Sequence, residues 1–228
     1  MGKVLIETKD IRRGFPVGGG DMFWAVRNMN ITVNEHKLTI LKGRSGSGKT
    51  TLMNLLGALD YPTSGKIMFG DTSITEISDK KRNDLRSRQM GFVFQSVALI
   101  GMMSAYENVE FILRLSKSSF SPKERRKRAI TCLEKVGLGG RMHHMPAELS
   151  GGEQQRVAIA RAIAHNPKII FADEPTSQLD TNTSLQVVKI FRDLVEEEGA
   201  TIVMTTHDPG LMDLADKVYE MEDGAIVG

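Results

Sequence analysis

Apolar residues recur along the chain with two different periods, and the changes between them divide it into predicted elements. Alternation near period two covers Val4 to Ile11 and then Trp24-Ala25-Val26 through Met29, Ile31 and Val33, predicting two strands. The segment between them, Gly14-Phe15-Pro16-Val17-Gly18-Gly19-Gly20, is predicted to be a loop carrying one aromatic. Leu38-Thr39-Ile40-Leu41 is a short apolar run of the kind that forms a buried strand, and Thr51-Leu52-Met53-Asn54-Leu55-Leu56 predicts a helix. Asp60-Tyr61-Pro62-Thr63-Ser64-Gly65 is a turn feeding the strand Lys66-Ile67-Met68-Phe69. Residues 79 to 88 form a charged surface helix, and Phe92-Val93-Phe94 a short buried strand.

From about residue 97 to 163 the period is helical. Ser104 to Lys117 and Ser121 to Val136 are two predicted helices, the second opening on a Ser-Pro cap and first-turn pair. The last third alternates: helix 151–164, the stop Asn166-Pro167, strand Ile169-Ile170-Phe171-Ala172, helix 182–197, strand Ile202-Val203-Met204, and a short helix near 209–215. Val187, Phe191, Leu194 and Val195 give the second of those helices an amphipathic face. Strands alternating with helices of this length imply a parallel α/β core. Residues 218 to 227, around Glu222-Asp223-Gly224, read as a hairpin.

Composition adds limits. A chain of 228 residues fits one large domain or two closely packed lobes. A net charge of +2 is too small to argue electrostatically for a nucleic-acid or membrane-surface partner. One cysteine, Cys132, excludes an internal disulfide framework and sits in a helical pattern as a packing residue. The N-terminus has no secretory leader, and no run approaches the roughly 20 apolar residues that span a bilayer.

The chemistry begins between the third predicted strand and the helix after it. Gly43-Arg44-Ser45-Gly46-Ser47-Gly48-Lys49-Thr50 fills every fixed position of the pattern G-x-x-x-x-G-K-[ST]. Glycines let successive backbone N–H groups converge on a phosphate at a helix N-terminus, where the dipole is positive. Lys49 then reaches the β- and γ-phosphates, Thr51 follows on the helix, and the Thr50 hydroxyl is placed to ligate Mg²⁺. The pattern implies a bound nucleoside triphosphate.

Further segments narrow the class. Leu149-Ser150-Gly151-Gly152-Glu153-Gln154-Gln155-Arg156 resembles the signature of ABC ATPases, with Glu153 at a position usually glutamine. Ile169 to Pro175 resembles a Walker B strand ending in Asp173-Glu174, and Thr205-Thr206-His207-Asp208 the switch-histidine segment. Gln95 matches the Q-loop, and Ser177-Gln178-Leu179-Asp180 the D-loop. The resemblance spans almost the whole chain in order, and it implies a P-loop NTPase α/β core with a parallel sheet, an antiparallel β subdomain at the N-terminus and a helical signature subdomain. On that reading residues 1–228 form one ABC ATPase domain, with a RecA-like and β lobe at about 1–96 and 164–228 and a helical lobe at about 97–163.

The resemblance also implies roles. Mg²⁺ is expected on Thr50, Gln95 and Asp173, Glu174 orients and deprotonates the attacking water, and His207 contacts the γ-phosphate. Ser150, Gly151, Gly152 and Glu153 open a helix and form a second anion site, which makes sense facing the ATP of another subunit; Asp180 belongs to the same nucleotide environment. Phe15 matches the aromatic that stacks on adenine, although Phe23 and Trp24 lie close in sequence and compete for that role.

Fragments such as Leu59-Asp60-Tyr61-Pro62-Thr63-Ser64-Gly65 and Glu107-Asn108-Val109 are similar to the MacB-, LolD- and BceA-like branch, whose members power export of macrolides, peptides or lipoproteins, or transmit force across the membrane. The expected partners are a second ATPase subunit, in a homodimer, and an integral permease, since the chain reaches Gly228 without a membrane region; no nucleic acid is expected. The place of work would be the cytoplasmic face of the cell membrane, reached through the permease. A regulator of the FtsE kind would share the chemistry, and a soluble ATPase acting on ribosomes or DNA is the rival class. Two positions depart from relatives: Gly101, where proline is frequent, and Gln178 in the D-loop. The apolar set Val97, Leu99, Ile100, Met102, Met103 and Tyr106 is expected to form the groove for a permease helix. The run Lys123 to Arg128 reads as a solvated helix face, and His143-His144 lacks the companions a metal site needs.

Overall fold

A computed structural model of the chain describes residues 2–116 and 120–228. The N-terminal part is antiparallel: β1 (Val4–Pro16) pairs with β2 (Met22–Met29), with β3 (Thr32–Asn34) and with β5 (Ser64–Phe69), and β5 pairs with β6 (Thr72–Ser73). The second sheet has the order β11-β10-β4-β9-β8-β7, from β4 (Leu38–Lys42), β7 (Met90–Val93), β8 (Ile169–Asp173), β9 (Thr201–Thr206), β10 (Lys217–Glu222) and β11 (Ala225–Ile226). Every pairing in it is parallel except β10 with β11.

The helices are α1 (Lys49–Leu56), α2 (Asp79–Gln89), α3 (Ala105–Leu115), α4 (Pro122–Lys135), α5 (Gly151–Ile163) and α6 (Thr181–Glu198). A 3₁₀ segment, Pro209–Leu214, stands where a short helix was expected. The α3 end expected at Lys117 lies outside the described residues.

Two expectations about the first strands need correction. β1 runs on to Pro16, so Gly14, Phe15 and Pro16 are strand and not loop; they are held by pairing with Trp24, Phe23 and Met22. The single strand expected from Trp24 to Val33 is broken at Asn30–Ile31, after Asn28 takes a positive φ of 44°, so β2 and β3 pair with different stretches of β1.

The parallel sheet separates two apolar cores by simple alternation. Leu38 and Ile40 of β4, Ile170 and Ala172 of β8, and Ile202 and Met204 of β9 face a core shared with α3, α4, α5 and α6. Leu41, Ile169, Phe171 and Val203 face the other way, onto α1 and the antiparallel sheet. Cys132 is fully buried in the first core, as its helical setting implied, and the sheltered apolar medium pushes its thiol pKa up.

Helices α3, α4 and α5 each open on the same device. Ser104, Ser121 and Ser150 accept the N–H of Glu107, Glu124 and Glu153, and each glutamate reaches back to the serine N–H. The approach to α3 is further shaped by Asn108, which is buried. Its amide oxygen accepts Ile100 N–H at 2.8 Å, and its NH₂ reaches the carbonyls of Ile100, Met103 and Ser104 at 3.2, 2.9 and 3.1 Å. Asn108→Ala removes all four bonds inside the protein. With a buried unpaired group costing about 1–3 kcal/mol, and about 2–4 °C of melting temperature per kcal/mol for a chain of this size, calorimetry should show a fall of roughly 2–12 °C. An unchanged melting temperature would mean that the 100–104 turn holds its shape without this side chain.

Candidate nucleotide site

The site is built at one edge of the parallel sheet, where β4, β8 and β9 end level with one another. Lys42 lies opposite Thr206, and Asp173 opposite Thr205. Ligands of open α/β sheets sit at this carboxyl edge. The loop after β4 leads into α1 through Gly48, whose φ of 97° is left-handed; a Cβ there would lie 2.1 Å from the carbonyl oxygen of Ala25. Only glycine satisfies both demands.

Lys49, only 4% exposed, folds its ammonium back into the loop. It donates to the carbonyls of Gly43 at 2.7 Å and Arg44 at 3.0 Å and lies 3.5 Å from Glu174 Oε1. The other oxygen of Glu174 is 3.5 Å from His207 Nδ1, so one carboxylate bridges the loop lysine and the histidine beyond β9. Thr205, with no exposed surface, ties the pair of acids together: its hydroxyl donates to Asp173 Oδ1 at 2.6 Å and accepts Glu174 N–H at 2.8 Å. Thr50 Oγ1 also donates to Asp173 Oδ1, at 3.3 Å.

Glu174 itself has a φ of +43°, an uncommon conformation for a residue with a side chain and one that costs of order 1–3 kcal/mol. Thr205 on its N–H, and the N–H and hydroxyl of Ser177 on its carbonyl, hold it there. The strain turns the carboxylate back over the loop instead of along the strand.

A cavity of about 700 Å³ is lined by Arg44, Ser45, Gly46, Gly48, Lys49, Thr50, Thr51, Gln95, Glu174 and His207, with Phe23 and Ala25 on one wall. Most of the residues expected from the sequence are thus brought together. Gly43 and Ser47 support the loop from below, and Asp173 stands behind Thr50 and Thr205. Phe15 is not on the wall: its ring lies under the Arg13 guanidinium, 4.6 Å from ring centre to Cζ. Its cross-strand partner Phe23, 53% exposed, is the aromatic that lines the cavity.

Ser150, Gly151, Gly152, Glu153 and Asp180 do not line this cavity either. They assemble elsewhere. A Cβ on Gly152 would lie 2.3 Å from Thr183 Cγ2, so the N-termini of α5 and α6 are pressed together. Asp180 caps α6, accepting from Asn182 N–H, Thr183 N–H and the Thr183 hydroxyl at 3.0, 3.1 and 2.5 Å, and those bonds hold its pKa below the usual carboxylate range. Glu153 is likewise held low by the N–H and hydroxyl of Ser150.

The donors around Thr50 suit Mg²⁺. One carboxylate, one hydroxyl and the Gln95 amide are hard oxygens, too few for a resident ion but enough for one that shares its coordination with phosphates. Among the described residues no cluster of three or more His, Cys, Asp or Glu is arranged to hold a metal.

From the sequence Thr205 reads only as part of the switch-histidine segment, with no role of its own, and Phe23 only as a competitor of Phe15. Thr205 has no pattern of its own and gains its place only from the register of β8 with β9. Phe23 was visible as a neighbouring aromatic, but the β1–β2 pairing was not.

A second hollow, of about 380 Å³, lies between α2, β7, α3 and α5, with Leu59, Phe92, Phe94, Ile112 and Leu115 on its walls. None of residues 96–106, of which a groove was expected, lines it, and Ile100 of that set is exposed. Val97, Leu99 and Tyr106 pack against the main core, while Met102 is 90% exposed. Arg161 and Asn108 draw the segment inward by its carbonyls, which periodicity does not reveal.

The loop-and-helix phosphate cradle, the acid pair and the parallel sheet define a P-loop ATPase. The family model described as ABC transporter matches residues 26–177. The chain is 45% identical over 222 residues to the macrolide export ATP-binding/permease protein MacB of Syntrophobacter fumaroxidans; that stretch is 97% of this chain and 31% of the MacB chain, so only part of that protein's length is spanned. It is 43% identical to the ABC transporter ATP-binding protein YknY of Bacillus subtilis, over 98% of this chain and 95% of that one. Among solved structures it is similar to the dimeric ATP-binding cassette MJ0796 bound to ADP and Pi, with a TM-score of 0.90 and 37% identity over 98% of this chain and 97% of the other. A protein of that name from Methanocaldococcus jannaschii is 38% identical over 97% of this chain and 95% of its own length. The chain belongs to the ABC transporter family and is one of its ATP-hydrolysing cassettes.

The Thr205 bridge is testable. Thr205→Val keeps the shape, removes the hydroxyl, and leaves Glu174 N–H without its partner. Turnover should fall about tenfold or more through misplacement of the two carboxylates, with Thr205→Ser retaining most activity. Steady-state ATPase assays decide it, and equal rates for the two variants would show that the bridge does not position the acids.

Proposed function

We propose that the chain drives a separate membrane permease, two copies closing head to tail around two ATP molecules. The observation that carries this reading is the separation within one chain of two phosphate-binding surfaces. The loop 43–50 faces its own cavity, while Ser150, Gly151 and Gly152, beside Asp180, face away from it. A second copy, turned about a two-fold axis, completes each site with the other's Ser150 helix N-terminus. The MJ0796 cassette, similar along nearly the whole chain, is dimeric, which supports a dimer of this chain.

Lys49 then trades its backbone carbonyls for the β- and γ-phosphates, and Phe23, with Phe15 beside it, stacks on the base. Mg²⁺ arriving with the nucleotide would be held by Thr50, Gln95 and Asp173 and would neutralise charge on the phosphates. Glu174 accepts the proton of the attacking water, with His207 at its other oxygen close to the γ-phosphate. ATP held at the joint contributes interface energy that vanishes on hydrolysis, which links chemistry to opening and closing.

The similarity to a macrolide export protein supports export of macrolide-type cargo as the work done, with peptide or lipoprotein-type cargo, or force transmission without passage, as the other tasks that the branch resemblance implies. Among the described residues no helix is long and apolar enough to cross a membrane, so the permease supplies the membrane contact, at the cytoplasmic face. The apolar hollow walled by Leu59, Phe94 and Leu115 is the surface offered to it. We take residues 1–228 as one cassette whose helical lobe, about 97–163, carries Ser150 and supplies one wall of that surface, through Ile112 and Leu115.

Lys49→Ala should weaken ATP binding, whereas Glu174→Gln should bind normally and turn over about 10²-fold or more slowly. Nucleotide titration beside ATPase assays separates the two, and near-normal turnover in Glu174→Gln moves the base to another group. The slow variant also reports on assembly. In sedimentation it should form an ATP-dependent dimer that Ser150→Arg abolishes; a dimer that persists in Ser150→Arg rules out completion of the site from the partner chain.

A further inference from the structure

The basic run Lys123 to Arg128 reads from the sequence as a solvated helix face, and the structure divides it in two. Arg125 and Arg128 turn inward. Arg125 donates to Glu110 at 3.4 Å and to the Phe120 carbonyl at 3.0 Å, and Arg128 to the carbonyls of Ala164 and Ile163 at 2.9 and 3.0 Å. Lys123, Arg126 and Lys127 stay exposed, and among the described residues no side-chain hydrogen bond or ion pair engages any of the three. Spaced i, i+3 and i+4, they share one face of α4.

Little inside the chain balances them. Glu124, the acid in the first half of α4, closes the cap with Ser121, and Glu134 stands roughly two turns beyond Lys127. Glu110 of α3 is shared by Arg114 and Arg125, and Glu198 of α6 meets Lys135. The helix gains nothing from the arrangement. Lys123 and Lys127 repel at i, i+4, and Lys123 sits in the first turn, at the positive end of the helix dipole. The patch also belongs to the positive side of a divided molecule. Residues 97–163 carry eleven Lys and Arg against six Asp and Glu, and the rest of the chain nineteen against twenty-two. A net charge of +2 is thus the sum of a helical lobe of +5 and a remainder of −3. Such a distribution orients the chain before a negative surface, helical lobe first.

We infer that the exposed face of α4 rests on anionic lipid headgroups at the cytoplasmic surface of the membrane. The inference rests on the transporter reading, which puts the cassette beside its permease, and adds a contact made with lipid by the cassette itself. Headgroup phosphates are the anions that the three side chains lack, and a mobile lipid surface asks for charge without a fixed geometry. A nucleic acid fits this face less well, because α4 carries no aromatic residue to stack on a base.

The test is co-sedimentation of the full chain, without nucleotide, with vesicles of phosphatidylcholine alone or of phosphatidylcholine mixed with phosphatidylglycerol. The chain should bind the anionic vesicles and not the neutral ones, and binding should weaken as salt rises. Lys123→Gln, Arg126→Gln and Lys127→Gln together should weaken it about a hundredfold, at roughly fivefold per side chain. Lys80→Gln with Lys81→Gln, which removes two exposed cations of α2, should leave it nearly unchanged. A circular-dichroism melt matching that of the wild type shows that the triple variant keeps its fold. No binding to the anionic vesicles, equal binding to neutral ones, or a loss from the α2 changes as large as from the α4 changes overturns the inference. So does tighter binding of an RNA oligonucleotide than of the anionic vesicles at the same salt, which would assign the face to nucleic acid. None of these outcomes touches ATP turnover, the ATP-dependent dimer or stimulation by a permease, so a failure here is distinguishable from a failure of the transporter reading.

Discussion

The nucleotide site depends on one constraint, the level ending of three parallel strands. Because β4, β9 and β8 are in register, Lys42, Thr206, Thr205 and Asp173 finish side by side, and the loops that follow are delivered to the same place. The Thr205 hydroxyl converts that register into chemistry by bonding Asp173 with one hand and the Glu174 backbone with the other. A slip of one residue between β8 and β9 would turn Thr205 to the other face and separate both acids from Thr50. The conformational strain at Glu174 is sustained by the same contact. Backbone pairing, side-chain hydrogen bonding and a costly φ angle therefore form one unit.

The second recurring device is the serine–glutamate cap. Three helices begin with it, and at Ser150 it is closed by Glu153, the position at which the family resemblance has glutamine more often. Glu153 closes the cap through the Ser150 N–H and meets Arg141 at 3.6 Å, so its charge is used inside the chain. The Ser150 hydroxyl accepts from Glu153 N–H through one lone pair and turns its own hydrogen to the Glu153 carboxylate.

Much of this was legible in the sequence, unevenly and for physical reasons. The phosphate loop is readable because eight consecutive residues carry its whole geometry, and the central strands because a strand buried on both faces is largely apolar, as Ile169 to Ala172 are and as Leu38 to Leu41 are except at Thr39. The caps were equally open to view in Ser104-x-x-Glu107, Ser121-x-x-Glu124 and Ser150-x-x-Glu153. Features made by several distant segments were not. The hollow takes its walls from Leu59, Phe94, Leu115 and Arg161, which no window of sequence contains together. In residues 96–106 the sequence does not separate Val97, Leu99 and Tyr106, which pack on the core, from Ile100 and Met102, which are exposed, because the polar groups that hold the segment's carbonyls, Asn108 and Arg161, lie outside that window. Phe15 matched the expected aromatic by position, and only the pairing of β1 with β2 placed Phe23 opposite it and on the cavity wall.

The strand order of the parallel sheet also bears on how the chain is made. β4 lies between β10 and β9, yet it ends at Lys42 while β9 starts at Thr201 and β10 at Lys217. At about 5–20 residues per second a ribosome needs on the order of ten seconds or more to travel that distance. Throughout that time the buried run Leu38 to Leu41, with the phosphate loop attached, has neither neighbour to pair with. The antiparallel strands β1, β2, β3 and β5 close much earlier, all lying within the first 69 residues. The strands of the first sheet are all made early and those of the catalytic sheet last, so the nascent chain carries an unpaired, largely apolar strand through most of its synthesis.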